Sequence, residues 1–374
     1  MIFLDHNSTT PLLQCAYDDM KPYFCDLFYS PGGLQEICTS IADKIENTRK
    51  LIAGFISDQD GFLLFTSCAT ESNNFILKQG FFDIVITSPI EHPSLLKSAY
   101  FYHPDGVKKV KILSDGVIDV GDLECLLKEN CSNKKVLVSI QHGNSVIHTL
   151  QDVEKISNLC LKYGAYLHVD ATQTLGRISL IPNRADFITV SAHKCYGPKG
   201  IAALWIKKEL LGKFGTPSLV GGGHHEKNLR AGTSNVPGIV GFGSAVNFMC
   251  THLDQHAEHV KRLSKMFYTK FMKDIPNAIL NGNKDMRIPG GLSFYVPGVD
   301  MRSILSSLPD IIISTGMACS TSGADPVMME LGGEELAKGS FRIQIGFENS
   351  ENEIQQSVDA LVTAIKQSKI KKCY

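Results

Sequence analysis

Short apolar runs alternate with helix-spaced apolar positions through the first two-thirds of the chain, the layout of a sheet flanked by helices. The runs predict strands at Phe62 to Thr66, Asp83 to Ser88, Val136 to Gln141, Ala165 to Val169, Phe187 to Val190 and Ala202 to Ile206. Between them, Glu36 to Ile56 sets Ile37, Ile41, Ile45, Ile52 and Phe55 near one helical face, and Leu150 to Tyr163 repeats that spacing. After Pro237 the pattern predicts one long helix, Gly238 to Lys273, then short strands at Leu292 to Val296, Ile311 to Ser314 and Phe341 to Ile345, with helices between and after. Together these describe a doubly wound α/β unit and a smaller α+β domain.

Composition narrows the class. A chain of 374 residues, 43% of them hydrophobic, can bury a full core. Its 37 basic and 38 acidic residues leave a net charge of -1, with no polycationic surface for nucleic acid. No segment reaches the roughly 18 to 20 continuous apolar residues of a membrane span. The opening MIFLDHNSTTPL lacks a basic region followed by an apolar one, so the expected location is cytoplasmic. Eleven cysteines are scattered singly without a C-x-x-C pair, which predicts reduced thiols, mostly core packing, with one or two reactive.

Three segments carry chemistry. In ADFITVSAHKCYGPKG, residues 185 to 200, a buried strand runs into Ser-x-His-Lys and a Gly-Pro turn, placing Lys194 at the mouth of a sheet. On spacing alone, an ordinary surface lysine explains it about as well. In HVDATQTLG, residues 168 to 176, a strand ends in Asp170 with Gln173 three residues on, at the carboxyl edge where open α/β sheets bind ligands. A Schiff-base lysine and an aspartate that keeps a pyridinium nitrogen protonated are the minimal pyridoxal-phosphate (PLP) pair. In FTSCATESNN, residues 65 to 74, a strand passes through small residues into a helix, where free N–H groups and the Thr70 hydroxyl suit a phosphate. A plain N-cap is the commoner role for such residues.

The chain resembles the cysteine desulfurases, class V aminotransferase-like enzymes of the fold-type I PLP superfamily. The matching motifs are FLDHNSTTPL, FTSCATESNN, EHPSLLKS, HVDATQ, SAHKCYGPKG, GGGHHEKNLRAGTSN, STGMACST and FRIQIG. The resemblance implies a mostly parallel seven-stranded sheet flanked by helices, with 14–245 as the large PLP-binding domain and 1–13 with 246–374 as the small one. It implies Lys194 as the lysine bound to PLP, Asp170 as the pyridine-nitrogen partner, Gln173 as donor to the ring oxygen and His92 as the stacking, proton-handling histidine. Ala69, Thr70, Ser191 and His193 match phosphate-side ligands, and Thr233 matches a ligand donated by the neighbouring subunit of a homodimer. Asn144 matches a residue near the ring oxygen and the substrate, and Arg342 matches the arginine that grips the substrate carboxylate, as suits its planar fork. Cys319, in a loop of the longer type, matches the nucleophile that takes sulfur from L-cysteine as a persulfide and passes it to an acceptor protein such as an iron–sulfur scaffold. Cys195 and Cys68 are its rivals, in segments expected to be rigid.

The chain departs from that pattern at three places. In SIQHGNSVIHTLQD only Asn144 survives of an Asn-Asn-Glu stretch, followed by Ser145 and Val146, and His148 stands at a glycine. In YSPGGLQ, Ser30 and Gln35 replace an asparagine and a histidine, and Cys68 replaces a glycine. The alternatives are selenocysteine lyase or another PLP lyase or aminotransferase, which does not require Cys319, and a low-activity paralogue serving as a scaffold. His252, His256 and His259, expected on one face of the long helix, read as solvated histidines ahead of a metal site.

Overall fold

A computed structural model describes residues 1–180, 184–213, 220–315 and 325–371. Its central sheet has seven strands in the spatial order Gly61–Thr66, Ala202–Lys207, Phe187–Ser191, Tyr166–Asp170, Val136–Gln141, Ile84–Thr87 and Val107–Lys109. All run parallel except Ala202–Lys207, which is antiparallel to both neighbours. This is the mostly parallel, helix-flanked sheet of a fold-type I enzyme. Its interior strands are buried along their whole length, which is why they read as continuous apolar runs. Six of the seven were legible that way. The seventh, Val107–Lys109, is a three-residue edge strand with two exposed lysines, so it carries no alternation and no apolar run.

One apolar cluster fills one face of the sheet, under the Glu36–Ile56, Val153–Tyr163 and Val236–Thr251 helices, and a second fills the other, with Phe75, Phe82 and Phe187. A third gathers Ile2 and Leu4 with Phe267, Phe271, Phe294, Phe341 and the Glu351–Lys371 helix, around the antiparallel strands Ile279–Leu280, Gly291–Tyr295 and Ser340–Gln344.

The predicted single helix from Gly238 to Lys273 is two helices, Val236–Thr251 and Leu253–Asp274, bent by 71°. The first half is buried almost all round, and any side chain at Gly241 or Gly243 would meet Met20 or Thr48. The second buries only Val260, Leu263, Phe267 and Phe271, against the third cluster. Serving two cores forces the bend at His252, which caps the second helix, so His252, His256 and His259 all belong to that helix and its cap, with the His252 and His256 rings stacked 5.8 Å apart. Among the described residues no single helix is long and apolar enough to cross a membrane.

Candidate active site

Every parallel strand of the sheet points its carboxyl end to one edge, and the predicted chemistry collects there. Asp170 closes its strand and is 7% exposed. Its two oxygens accept from neutral donors, Asn73 Nδ2 at 2.9 Å and the Thr172 N–H at 3.0 Å. Behind it His168 is wedged between Ser139 Oγ at 2.7 Å and Thr189 Oγ1 at 3.0 Å, and burial pushes it down to about 4, so it stays neutral.

Lys194 sits in the single turn Ala192–Lys194 that follows the Phe187–Ser191 strand. Its Nζ donates to the Asn7 carbonyl and, at 2.6 Å, to the Ser8 carbonyl. Gln173 Nε2 donates to the same Asn7 carbonyl at 3.1 Å, which ties the Asp170 turn to the lysine. His92 caps the Pro93–Tyr102 helix, its Nδ1 accepting from the Ser94 N–H at 3.1 Å. The residue is exposed to solvent. The surrounding protein still lowers its pKa through desolvation, with Lys194 and Arg342 lowering and Asp170 raising it. Asp170, Lys194 and Arg342 thus all lie within electrostatic reach of His92.

Ala69 and Thr70 open the Ala69–Lys78 helix with its free N–H groups at the same edge, and Cys68 makes no side-chain cap. The cap is supplied by Glu71 instead, which accepts from Ser67 N at 2.7 Å and Ser67 Oγ at 2.6 Å and pairs with Arg230 Nε at 3.1 Å. Those bonds outweigh burial and hold Glu71 below its usual range. Ser191 is buried at the end of its strand. His193 Nδ1 lies 3.1 Å from Thr9 Oγ1, and burial brings it down to about 4. Thr233 is exposed, one residue past Gly232 at φ 101°.

Arg342 lies on the Ser340–Gln344 strand, 5% exposed, with Nε 3.5 Å from Asp5 Oδ1. Neither of those two atoms completes a hydrogen bond, so the arginine keeps donor capacity for a carboxylate. Cys319 lies outside the described residues. The chain enters that segment beside Ser314, whose carbonyl accepts from Arg342 N at 2.8 Å. It leaves at Asp325, a buried carboxyl whose raised pKa is partly offset by Arg342.

Two expectations meet a different setting. Asn144 is committed to its own surroundings: its Oδ1 accepts from Val146 N at 2.7 Å and Ile147 N at 2.9 Å, and its Nδ2 donates to Ile90 O at 3.1 Å. It is a buried loop cap, because the loop it sits in must satisfy its own main chain. The cysteines are less uniformly packed than expected, with Cys15, Cys25, Cys68 and Cys125 exposed. Cys68, in a segment expected to be rigid, is exposed at the helix start. Cys195 is buried, and its thiol is pushed far up by desolvation. The residues missed from sequence are Asn7, Asn73 and Arg177, which hold the pocket from a distant strand end, a helix and a turn. Arg177 Nη1 donates to Asn7 Oδ1 at 2.5 Å. Only the polar content of FLDHNSTTPL and of the Asn-Asn pair hinted at the first two.

The sequence profile of the class-V aminotransferases matches residues 2–356. The cysteine desulfurase IscS of Dictyoglomus turgidum is 33% identical over 377 residues, 96% of this chain and 93% of the relative. The mitosomal cysteine desulfurase of Encephalitozoon cuniculi is 35% identical, over 97% of this chain and 86% of its own. The NifS-like protein of Rickettsia africae superposes with a TM-score of 0.87 at 30% identity, over 97% of this chain and 99% of the other. A family match of that span, relatives aligned from end to end and a pocket built from the same motifs lead to one conclusion: the chain belongs to the cysteine desulfurases of the class-V aminotransferase family.

Proposed function

We propose that this chain is a PLP-dependent cysteine desulfurase, carrying sulfur from L-cysteine to Cys319 and releasing L-alanine. The observation that carries the reading is that Asp170 and Lys194, at the carboxyl edge of the sheet, and Arg342, on the small sheet, all lie within electrostatic reach of His92. The residues fit PLP. A buried carboxylate fixed by neutral donors suits a pyridinium, a lysine amine stands in the same pocket, and helix N–H groups at Ala69 and Thr70 suit a phosphate.

PLP, when bound, supplies an aldehyde for amines and an electron-withdrawing ring beside the substrate Cα. Asp170 would keep the ring nitrogen protonated, Gln173 would donate to the ring oxygen, and His92 would cover the ring. Ser191 and His193 would join Ala69 and Thr70 around the phosphate, and Thr233 would serve the partner subunit's site. Arg342 would bind the cysteine carboxylate, and Lys194 Nζ would take the Cα proton. The Cys319 thiolate would then attack the substrate sulfur. The carbon–sulfur bond breaks, its electron pair stays with the carbon that is protonated to become alanine, and Cys319 is left as a persulfide. The acceptor would be a protein, such as an iron–sulfur scaffold.

Exposed Phe24, Phe28 and Leu34, at 61%, 67% and 95%, support a homodimer built on this face. The same reading assigns 14–245 to a large domain and 1–13 with 246–374 to a small one. It also sets the enzyme in the cytoplasm, the mitosomal location being that of the Encephalitozoon relative; cell fractionation checks this. The main test is the absorbance spectrum of the purified protein before and after L-cysteine, with alanine and sulfide quantified. Alanine without Cys319-bound sulfur would favour a lyase. Lys194→Ala is expected to abolish the visible band of lysine-linked PLP, and a retained, borohydride-sensitive band would overturn the lysine's role.

A further inference from the structure

His148 is wholly buried and holds φ at 62°, a backbone region that non-glycine side chains occupy uncommonly, and it stands at a family glycine. Its main chain is locked on both sides, its N–H donating to Asn144 O at 3.1 Å and its carbonyl accepting from Ile288 N at 2.9 Å. The ring packs where Gly291 leaves room, since any side chain there would collide with it.

The ring's side-chain contact with Asn7 decides its tautomer. Asn7 Oδ1 accepts from Arg177, so the amide NH2 is the end that reaches Ser145 O at 2.8 Å and His148 Nδ1 at 3.1 Å. An amide N–H only donates, so Nδ1 carries the lone pair and Nε2 the proton. Nε2 finds no hydrogen bond of acceptable geometry, the Leu292 main chain giving it only weak support. Burial, with Arg287, Arg342 and Arg177 around the ring, holds its pKa well below the ordinary value. The imidazole is therefore a permanent neutral acceptor. From Asn7 the chain of contacts runs on, because its carbonyl accepts from Lys194 Nζ and Gln173 Nε2.

We infer that His148 is a positioning residue for Lys194, its Nδ1 pinning the Asn7 amide and thereby the Asn7 carbonyl that holds the lysine. Its meaning for catalysis rests on Lys194 being the PLP lysine, as proposed above; the relay itself does not.

The wild-type protein tests the first half. Nitrogen-15 NMR of its histidines is expected to show one imidazole fixed in the Nε2–H form from pH 6 to 9 and lost in a His148 variant. An Nδ1–H or titrating His148 overturns the inference. The second half is read by trace acetylation of Lys194 in the full chain freed of cofactor, followed by peptide mass spectrometry. His148→Gly removes the acceptor and relieves the positive φ. Loosening a carbonyl from the ammonium favours the neutral amine, so labelling at pH 8 is expected to rise roughly five- to tenfold. The ratio to wild type should close toward one at high pH, where both amines are neutral. His148→Asn sets Oδ1 close to where Nδ1 stands and tolerates positive φ, so it is expected to restore wild-type labelling. Unchanged labelling in folded His148→Gly, an increase that persists at high pH, or no rescue by asparagine each overturns the relay. A wrong PLP lysine would show separately, as cofactor still reducible in Lys194→Ala.

Discussion

Cys195 follows Lys194 directly, but it is fully enclosed, and desolvation drives its thiol so far up that it holds its proton at neutral pH. Its Sγ also fills the space any side chain at Gly176 would need, which is a packing role. Sulfur transfer needs a soft thiolate, which a serine hydroxyl does not replace. Cys319→Ser is therefore expected to keep PLP and still change its spectrum on adding L-cysteine, yet to form no persulfide. Cys195→Ser should retain activity. Alanine release from Cys319→Ser at the wild-type rate would count against the desulfurase chemistry.

At the scale of elements, two ion pairs tether the segment that leads to Thr233. Glu71, in the first turn of the Ala69–Lys78 helix, holds Arg230, and Arg49, on the Glu36–Ile56 helix, holds Glu226 at 2.6 Å with both side chains 8% exposed. Glu226 also accepts the Phe65 N–H at 3.0 Å, on the strand before the phosphate turn. The Arg49 guanidinium lies 4.7 Å from the Phe62 and Phe65 ring centres and also pairs with Glu46 at 3.0 Å, so without Glu226 it would keep one carboxylate and lose two hydrogen bonds. Three successive non-glycine residues, Glu226, Lys227 and Asn228, have positive φ, a strained turn that the pair holds in place. Glu226→Ala is expected to cost about 1.5–3 kcal/mol, as losing hydrogen bonds to a charged group does, measured by urea unfolding. A loss below about 1 kcal/mol, the range of exposed pairs, would deny the tether its structural role.

For the whole molecule, Thr233 tests the shared site. It is exposed in one chain, so Thr233→Ala should leave folding intact and weaken PLP retention several-fold. Unchanged cofactor affinity in an intact dimer would count against a ligand donated across subunits. The buried titratable groups set a pH dependence. His148 and His168 are neutral when folded, the latter down to about 4, but gain protons near their ordinary value when unfolded. Their contribution is complete above about pH 6.5 and is lost as pH falls toward their folded values. Glu91, buried and pushed up to about 8, acts in the opposite sense by one proton. His142 and His193, also brought down to about 4 by burial, act with them, so four histidines against one carboxyl leave a net uptake of about two to three protons on unfolding between about pH 6 and 5. These groups should therefore lower stability by about 3–4 kcal/mol per pH unit as pH falls. Urea midpoints at pH 6 and 5 check it, and a midpoint that rises on acidification would refute the burial of these histidines.

Local pattern determined the elements with strong periodicity. The apolar strands from Phe62 to Ile206 and the Glu36–Ile56 helix were legible because burial on both faces, or on one stripe, writes itself into consecutive residues. Motif likeness assigned Lys194, Asp170 and Thr70 to strand ends and a first helical turn, where they stand, because these are local features. Tertiary structure alone decided the bend at His252, where one apolar stretch serves two cores, and the inward turn of Asn144, whose partners lie in its own loop and at Ile90. It alone also decided that Asn7 holds a lysine 187 positions away. Hydrogen bonds between segments so far apart leave no periodic trace in either one, so only folding the chain reveals them.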